Sequence, residues 1–271
     1  MPSDLFTILP AQSPPQPVIA NLPHSGLQVP PNIAEQFTPQ HLRSLPNSDW
    51  HLQELYRFLP SLGITVMQAN YSRYVVDLNR SLKSPFLGSF WSAVVPEQTA
   101  FKQPIYVRKP SQEEVRSRIE EFYTPYHQQL RRLIDEAIAQ FGKVTLLDLH
   151  SFMGLITDDV CLGNANGQTC SSALIDQFAE SFANKNYQVV KNKVFTGGFI
   201  TRHYGQQPQV SALQIEIRYP LYLSDDQLEA DPNSAKSIPK DIPQWQGPKF
   251  EQAQVSLEQI FKQVIVREEL L

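Results

Sequence analysis

The 271-residue chain has few of the features that mark secreted, membrane-spanning or nucleic-acid-binding proteins. Its two cysteines, Cys161 and Cys170, cannot form a disulfide framework and lack the spacing of a paired-cysteine metal site. No apolar run reaches the roughly 18 residues that a transmembrane helix needs, so no membrane partner is expected. The first residues, Met-Pro-Ser-Asp-Leu-Phe, lack a basic segment followed by a long apolar one, which predicts a cytoplasmic protein without a signal peptide.

A strong charge of either sign is also absent. The chain has 23 Lys and Arg against 27 Asp and Glu, a formal net charge of −4, and no basic block. Since nucleic-acid-binding proteins carry basic patches, nucleic acid is not an expected partner. A weak overall field still allows a local pair of arginines to bind a small anionic substrate. The sequence leaves the oligomeric state open.

The composition is that of an ordinary globular protein. Hydrophobic residues make up 41% and charged residues 18%, which is enough apolar material for a large core. The 22 prolines cluster at 10–17, 30–31 and 220–248, as is typical of turns and surface loops. Because no repeat or low-complexity linker interrupts the sequence, we expect a single domain over residues 1–271.

The hydrophobic pattern predicts strands that alternate with helices. Strands are expected at 18–21, 64–69, 74–78, 144–149, 187–190 and 210–217, and helices at 32–43, 49–59, 111–140, 170–184 and 249–265. Pro125 should kink or split the helix over 111–140, because proline has no amide donor and clashes one turn back. Residues 81–110 and 196–205 are interpreted as loops that cover or approach a site. Long crossovers favour a mostly parallel sheet with helices on both faces, which is an α/β fold.

Polar side chains end several of the predicted strands. Asp148, His150 and Ser151 close an apolar run, and His24 follows another such run. Parallel strands bring their carboxyl ends to one edge of the sheet, where α/β proteins bind ligands. Glu216 lies between Ile215 and Ile217, and a carboxylate is costly to bury there unless it is paired or functional. Histidines and carboxylates at strand ends are the groups that a metal-assisted hydrolase uses.

Each of these residues also has a structural interpretation. A lone histidine such as His24 is more often structural than a ligand, and Asp49 could be the N-cap of the helix that follows it. Asp148 could accept the second N–H of the His150 ring or could simply be a satisfied carboxylate at the strand end. Two further ion pairs have structural interpretations: Asp77–Arg80 could lie at the surface, and Glu216–Arg218 could share one strand face.

Seven segments, taken in order, resemble the N-formylglutamate amidohydrolase family, which is related to zinc carboxypeptidases and aspartoacylases. They are Pro-His-Ser-Gly (23–26), Ser-Asp-Trp-His (48–51), Ser-Arg-Tyr-Val-Val-Asp-Leu-Asn-Arg (72–80), Pro-Tyr-His (125–127), Asp-Leu-His-Ser (148–151), Gly-Gly-Phe-Ile-Thr (197–201) and Gln-Ile-Glu-Ile-Arg (214–218). The resemblance covers most of the chain and implies a carboxypeptidase-like three-layer α/β/α fold.

The resemblance also implies residue roles. His24 and His150 would be metal ligands and Glu216 the general base. Carboxypeptidases have His-x-x-Glu at the first histidine, but position 27 is Leu27, so Asp49 is our choice for the carboxylate ligand.

The remaining implied roles concern the substrate. Arg73 would stabilise a developing oxyanion. Asn79 and Arg80 would hold a substrate carboxylate, and a second would be held by one of three side chains. Those three are Arg202, Tyr204 and Arg218.

The implied activity is hydrolysis of N-formyl-L-glutamate with one Zn²⁺ per chain, whose open coordination position would take water. The sequence leaves open another N-acyl amino acid as substrate, as in carboxypeptidase-like or aspartoacylase-like hydrolases. It also leaves open a non-catalytic protein that binds a metal or an amino acid on the same scaffold. A place in histidine degradation is compatible with the family but not fixed by the sequence.

Overall fold

A computed structural model of the chain describes residues 4–154, 156–228 and 239–265, and its centre is a seven-stranded sheet. The strands of the described residues are Phe6–Leu9 (β1), Val18–Leu22 (β2), Thr65–Ala69 (β3), Leu87–Gly88 (β4), Val95–Pro96 (β5), Val144–Phe152 (β6), Val160–Gly163 (β7), Val189–Lys191 (β8) and Val210–Arg218 (β9). The sheet has the order β1-β3-β2-β6-β9-β7-β8, and β4 pairs separately with β5. Only the β1–β3 and β7–β9 pairs of this sheet are antiparallel. The prediction of a mixed, mostly parallel sheet is therefore confirmed.

The helices pack on both faces of the sheet. They are Pro31–Ala34 (α1), Pro39–Ser44 (α2), Leu52–Leu55 (α3), Gln112–Arg118 (α4), Thr124–Phe141 (α5), Ser172–Ala183 (α6), Phe199–Tyr204 (α7) and Pro248–Ile265 (α8). On β6, Leu147 and Leu149 belong to the core shared with α6 and α8, whereas Val144 and Leu146 belong to the core shared with α4 and α5. This alternation follows from the two-residue repeat of a strand and gives the predicted three-layer α/β/α fold.

The long helical segment is divided as Pro125 predicts. Ser111 caps α4: its hydroxyl accepts from the Glu114 amide, and the Glu114 carboxylate accepts from the Ser111 amide. A π-helical turn, Ile119–Tyr123, separates α4 from α5, and Pro125 lies in the first turn of α5. The Thr124 amide bonds to the Ile119 carbonyl in the π-helical turn, and Pro125, which has no amide hydrogen, follows directly, at the point where the wider turn changes the hydrogen-bond pattern.

Four predictions of local structure are wrong. Residues 74–78 form turns rather than a strand, because the Asp77 amide bonds to the Val94 carbonyl in the covering loop and not to a neighbouring strand. The helix expected over 49–59 begins only at Leu52, since His51 has a left-handed backbone (φ 61°), and it lasts one turn. The segment 32–43 is divided between two short helices, and the loop expected at 196–205 contains α7.

The sheet order brings three predicted site segments to one edge. β2, β6 and β9 are consecutive and parallel, so the residues after their carboxyl ends are neighbours. In that register His150 pairs directly with Glu216. Among the described helices, none is both long and apolar enough to cross a membrane.

Candidate active site

Three buried side chains converge at this edge of the sheet. His24 lies just beyond β2, Asp49 in the loop before α3, and His150 near the end of β6. One ligand atom from each lies within 4.8 Å of the others. The Asp49 Oδ2 atom is 2.9 Å from Nδ1 of His150 and 3.8 Å from Nδ1 of His24, and the two ring centroids are 4.9 Å apart. Both rings therefore present Nδ1 to the point that Asp49 faces.

The other ring nitrogen of each histidine faces an aspartate. Nε2 of His24 lies 2.7 Å from Asp77 Oδ1, and Nε2 of His150 lies 3.2 Å from Asp148 Oδ2. A carboxylate there holds the proton on Nε2 and leaves Nδ1 free to bind a metal. Asp148 also accepts from Asn21 at 2.9 Å, so its own orientation is fixed. Of the two interpretations open for Asp148, the structure has the one in which it faces the imidazole.

Several side-chain donors fix the loop that carries Asp49. The carbonyls of Pro46, Asn47 and Ser48 accept hydrogen bonds from Tyr74, Arg73 and Tyr219, respectively. The Asp49 amide donates to the His24 carbonyl at 3.0 Å, which joins two ligand-bearing segments directly. The Asp49 side chain does not cap α3, since the N-cap residue is His51 and no side-chain cap bond forms.

The local charge favours a divalent cation. Four buried carboxylates, Asp49, Asp77, Asp148 and Glu216, surround the site, and two arginines, Arg73 and Arg80, oppose them. When both imidazoles are neutral and all four carboxylates are ionised, the site has an excess of two negative charges. Two histidine nitrogens and a carboxylate oxygen are also donors that zinc prefers. The residues present therefore fit a zinc ion.

The pKa shifts of the two histidines reflect the same field. Burial, together with Arg73, lowers the pKa of His24 to about 4, so this ring is neutral at physiological pH. Burial alone would also lower the pKa of His150, but the carboxylates of Asp148 and Asp49 raise it well above its ordinary value. The space between His150 and Asp49 thus attracts positive charge, which a metal ion would supply in place of a proton.

Glu216 lies beside the histidine–aspartate cluster. It is 6% exposed, and its Oε1 accepts a hydrogen bond from Gln214 Nε2 at 2.8 Å. The orientation of Gln214 is fixed because its Oε1 accepts from the Gly198 amide. Burial raises the pKa of Glu216 to about 7, although His150 opposes the shift. A carboxylate with this pKa can both take and return a proton near neutral pH.

A cavity of about 630 Å³ opens over these groups. Its lining includes the three metal-ligand candidates, Glu216 and three predicted substrate residues, Arg73, Asn79 and Arg80. Arg73 forms an ion pair of 2.6 Å with Asp77, and Arg80 donates to the carbonyls of Asn79 and Phe90. Each guanidinium keeps a buried Nε without a partner among the described residues. Asn79 Oδ1 accepts from the Ile200 amide, and Asn79 Nδ2 lies 3.1 Å from Nε2 of His150, whose proton points to Asp148.

Three residues predicted to hold a second carboxylate are not brought to this cavity. Arg202 donates to Gly197 and Thr196, and Tyr204 is buried against His127. Arg218 donates to the Thr157 carbonyl. None of the three is among the described residues that line the cavity, because their side chains turn toward loop carbonyls or into the helix layer.

Asp77 has a larger part in the site than its sequence pattern indicates. A surface pair with Arg80 is one interpretation that the sequence allows, but Asp77 is fully buried and joins His24 to Arg73. The signal was available, since Asp77 lies between Val76 and Leu78, an apolar setting like the one that singled out Glu216. Gln214 opens the family segment 214–218 and Tyr219 follows it, but nothing in the local sequence pattern gives either residue a role.

The chain is similar to a known protein family and to two curated proteins. The model of the family described as N-formylglutamate amidohydrolase matches residues 16–223. The N-formylglutamate deformylases of Pseudomonas putida and Pseudomonas aeruginosa are each 34% identical over 221 residues, which is 77% of this chain and 82% and 83% of theirs.

Solved structures extend the likeness to nearly the whole chain. The N-formylglutamate amidohydrolase of Ralstonia eutropha JMP134 superposes with a TM-score of 0.78 at 26% identity and covers 96% of both chains. The product of Atu2144 from Agrobacterium tumefaciens has a TM-score of 0.70 at 17% identity, over 96% of this chain and 93% of its own, and shares the fold.

The fold and the match to a family of amidohydrolases define this protein as a hydrolase. The chain belongs to the N-formylglutamate amidohydrolase family, as the seven sequence segments predict.

Proposed function

We propose that this protein is a zinc-dependent amidohydrolase of the cytoplasm that cleaves N-formyl-L-glutamate to formate and L-glutamate. The observation that carries the proposal is the placement of Glu216 beside His24, Asp49 and His150 in one cavity. The 34% identity to two deformylases supports the substrate.

His24, Asp49 and His150 would hold one zinc ion per chain, which leaves a coordination position open. When bound, zinc supplies a Lewis acid that acidifies water and polarises a carbonyl oxygen. Asp77 and Asp148 keep the Nε2 protons of the two rings in place and so maintain the Nδ1 lone pairs.

Glu216 carries the proton through the reaction. Its carboxylate takes a proton from water as the water oxygen bonds to the formyl carbon. The carbon–nitrogen bond then breaks, and Glu216 returns the proton to the leaving nitrogen. Formate and the free amino group are the products, and Glu216 is again ionised.

The arginines act on the anionic parts of the substrate. Arg73 is held by Asp77 and by the Asn47 carbonyl, and its remaining N–H groups stabilise the charge that develops on the formyl oxygen. Arg80, with Asn79 beside it, binds a substrate carboxylate through the N–H groups that the Asn79 and Phe90 carbonyls do not use.

The test is a hydrolysis assay of the metal-loaded protein, with formate and acetate as the measured products. N-formyl-L-glutamate should release formate, and N-acetyl-L-aspartate should release acetate at a much lower rate. A chelator should abolish the activity, and added zinc should restore it in parallel with bound metal.

The possible results separate the alternatives. Faster acetate release would assign another acyl group to the site. A protein that binds one zinc per chain and cleaves neither compound would be a binding protein rather than an enzyme. Full activity after complete removal of metal would contradict the zinc assignment.

A further inference from the structure

We infer that the side chain of the substrate amino acid lies in an apolar subsite, so that the protein also hydrolyses N-formyl amino acids with large aromatic side chains. The inference rests on the proposed function and names a broader substrate class for the same site. It is carried by the size of the cavity, by its charges and by the rings beside Arg80.

The cavity is larger than N-formylglutamate requires. Its volume of about 630 Å³ lies in the middle of the roughly 300–1,000 Å³ range of pockets that enclose drug-sized ligands. N-formylglutamate is much smaller than such a ligand. Space therefore remains after the formyl group reaches the cluster of His24, Asp49 and His150.

The cavity provides one arginine for substrate carboxylates. Arg73 and Arg80 are the arginines among its described lining residues, and no lysine lines it. Arg73 is 2.6 Å from Asp77, which neutralises it, whereas Arg80 is 3.9 Å from the same carboxylate. One substrate carboxylate can thus pair with Arg80. For a second carboxylate, such as that of a glutamate side chain, the described lining leaves only Arg73, which is already paired with Asp77 at 2.6 Å.

Two aromatic residues line the cavity beside Arg80. Arg80 donates to the Phe90 carbonyl at 3.1 Å, and the Arg73 guanidinium lies 4.5 Å from the centroid of the Phe90 ring. The Trp91 ring packs edge-on against Phe90 at 5.1 Å. A carboxylate bound at Arg80 would lie near these two residues, so the substrate side chain would pack against the exposed Trp91 ring.

Further apolar side chains line the same cavity. Phe152 and Phe195 line the cavity with their centroids 5.0 Å apart, and Val194 adjoins them. Trp91 is 52% exposed and Val194 is 42% exposed. Large exposed apolar side chains around a cavity mark a surface that a ligand covers. An aromatic side chain bound in this cavity would cover the exposed surfaces of Trp91 and Val194.

The test compares N-formyl-L-phenylalanine with N-formyl-L-glutamate on the metal-loaded full-length protein. We expect kcat/KM for the phenylalanine compound to lie within tenfold of that for the glutamate compound. Trp91→Ala should lower kcat/KM for N-formylphenylalanine at least fivefold more than for N-formylglutamate, because the ring contact is lost. Val107→Ala is the matched control: Val107 is 66% exposed and lies outside the lining, so the ratio should not change.

The outcomes distinguish this inference from the proposed function. Cleavage of N-formylglutamate without cleavage of N-formylphenylalanine would overturn the apolar subsite and leave the proposed function intact. An equal loss on both substrates in Trp91→Ala would also overturn it. Cleavage of neither compound by the parent protein would overturn both.

Discussion

The carboxylate of Asp77 lies 2.7 Å from Nε2 of His24, on the side of the ring opposite Asp49. Its second oxygen is 2.6 Å from the Arg73 guanidinium. Burial would raise the pKa of Asp77, but Arg73, Arg80 and His24 hold it well below its usual range. Asp77 therefore stays ionised and joins a metal-ligand candidate to the arginines of the cavity.

Asp77→Asn should weaken zinc binding. The amide can present its NH₂ group to Nε2, which favours the tautomer whose Nδ1 carries the proton and cannot bind metal. Loss of a carboxylate that orients a metal-binding histidine typically costs 10- to 100-fold in metal affinity, and competition with a chelator should show a change of that size. Asp176→Asn, which alters an exposed pair with Lys191, is the control and should leave the affinity unchanged. Equal affinities in the two variants would contradict a role for Asp77 in orienting His24.

Glu216→Gln should reduce turnover and leave the bound metal in place. Glu216 is not one of the three clustered ligand candidates, and as a general base it contributes roughly 10²- to 10⁴-fold to the rate. We therefore expect kcat to fall by about that factor with unchanged zinc stoichiometry. Formate release and metal content, measured on the same preparation, provide the check. Glu113→Gln, at an exposed position of α4, is the matched control. Near-normal activity in Glu216→Gln would reject the assignment.

The sequence predicted the parts of this site that depend on local pattern. The nine-residue β6 reads as a buried strand with a polar end, and the parallel register then places His150 beside Glu216. Glu216 was recognisable because an ionisable group between two isoleucines is costly to bury. These inferences need only the periodicity of a strand and the cost of burial.

The predictions that the structure contradicts or does not favour depend on tertiary contacts. The turns over 74–78 satisfy their amides through the covering loop, so their apolar composition misleads a strand prediction. Arg218 lies in one of the family segments, and Arg202 and Tyr204 follow another, but the direction of each side chain depends on which carbonyl or ring it meets. Their role in substrate binding stays a prediction that the placement does not favour.

Tyr219→Phe should loosen the loop that carries Asp49. The Tyr219 hydroxyl donates to the Ser48 carbonyl at 2.8 Å, and its removal leaves a buried acceptor without that donor. We expect a loss of about 1–3 kcal/mol in the free energy of unfolding and a fall in zinc affinity of up to roughly tenfold. Tyr56→Phe is the matched control, since the buried Tyr56 hydroxyl has no partner among the described residues. It should cost no stability and leave zinc affinity unchanged.

Urea denaturation and chelator competition on the two tyrosine variants separate the outcomes. If both variants bind zinc as the parent does, the Ser48 carbonyl does not position Asp49. If only the stability of Tyr219→Phe falls, the bond supports the fold but not the ligand.

His41 should make the protein sensitive to mild acid. Its ring is 3% exposed, contacts the edges of Phe37 and Tyr74, and has no hydrogen-bond partner on either nitrogen within the described chain. Burial lowers the pKa of His41 to about 3, whereas in the unfolded chain it is near 6.5. Above pH 6.5 neither state binds the proton, so this residue has no pH effect. Below it the unfolded state binds a proton that the folded state does not, and stability falls with pH.

His41→Phe keeps an aromatic ring in the same contacts and removes the titration. A pKa difference contributes about 1.4 kcal/mol per pH unit, so between pH 7 and pH 5 the free energy of unfolding should fall by about 2 kcal/mol less in the variant than in the parent. Urea denaturation of both proteins at a series of pH values gives the two slopes directly. Other buried histidines act equally in both proteins, and the difference isolates His41. Parallel slopes would show that the folded protein takes up a proton at His41 as readily as the unfolded chain does.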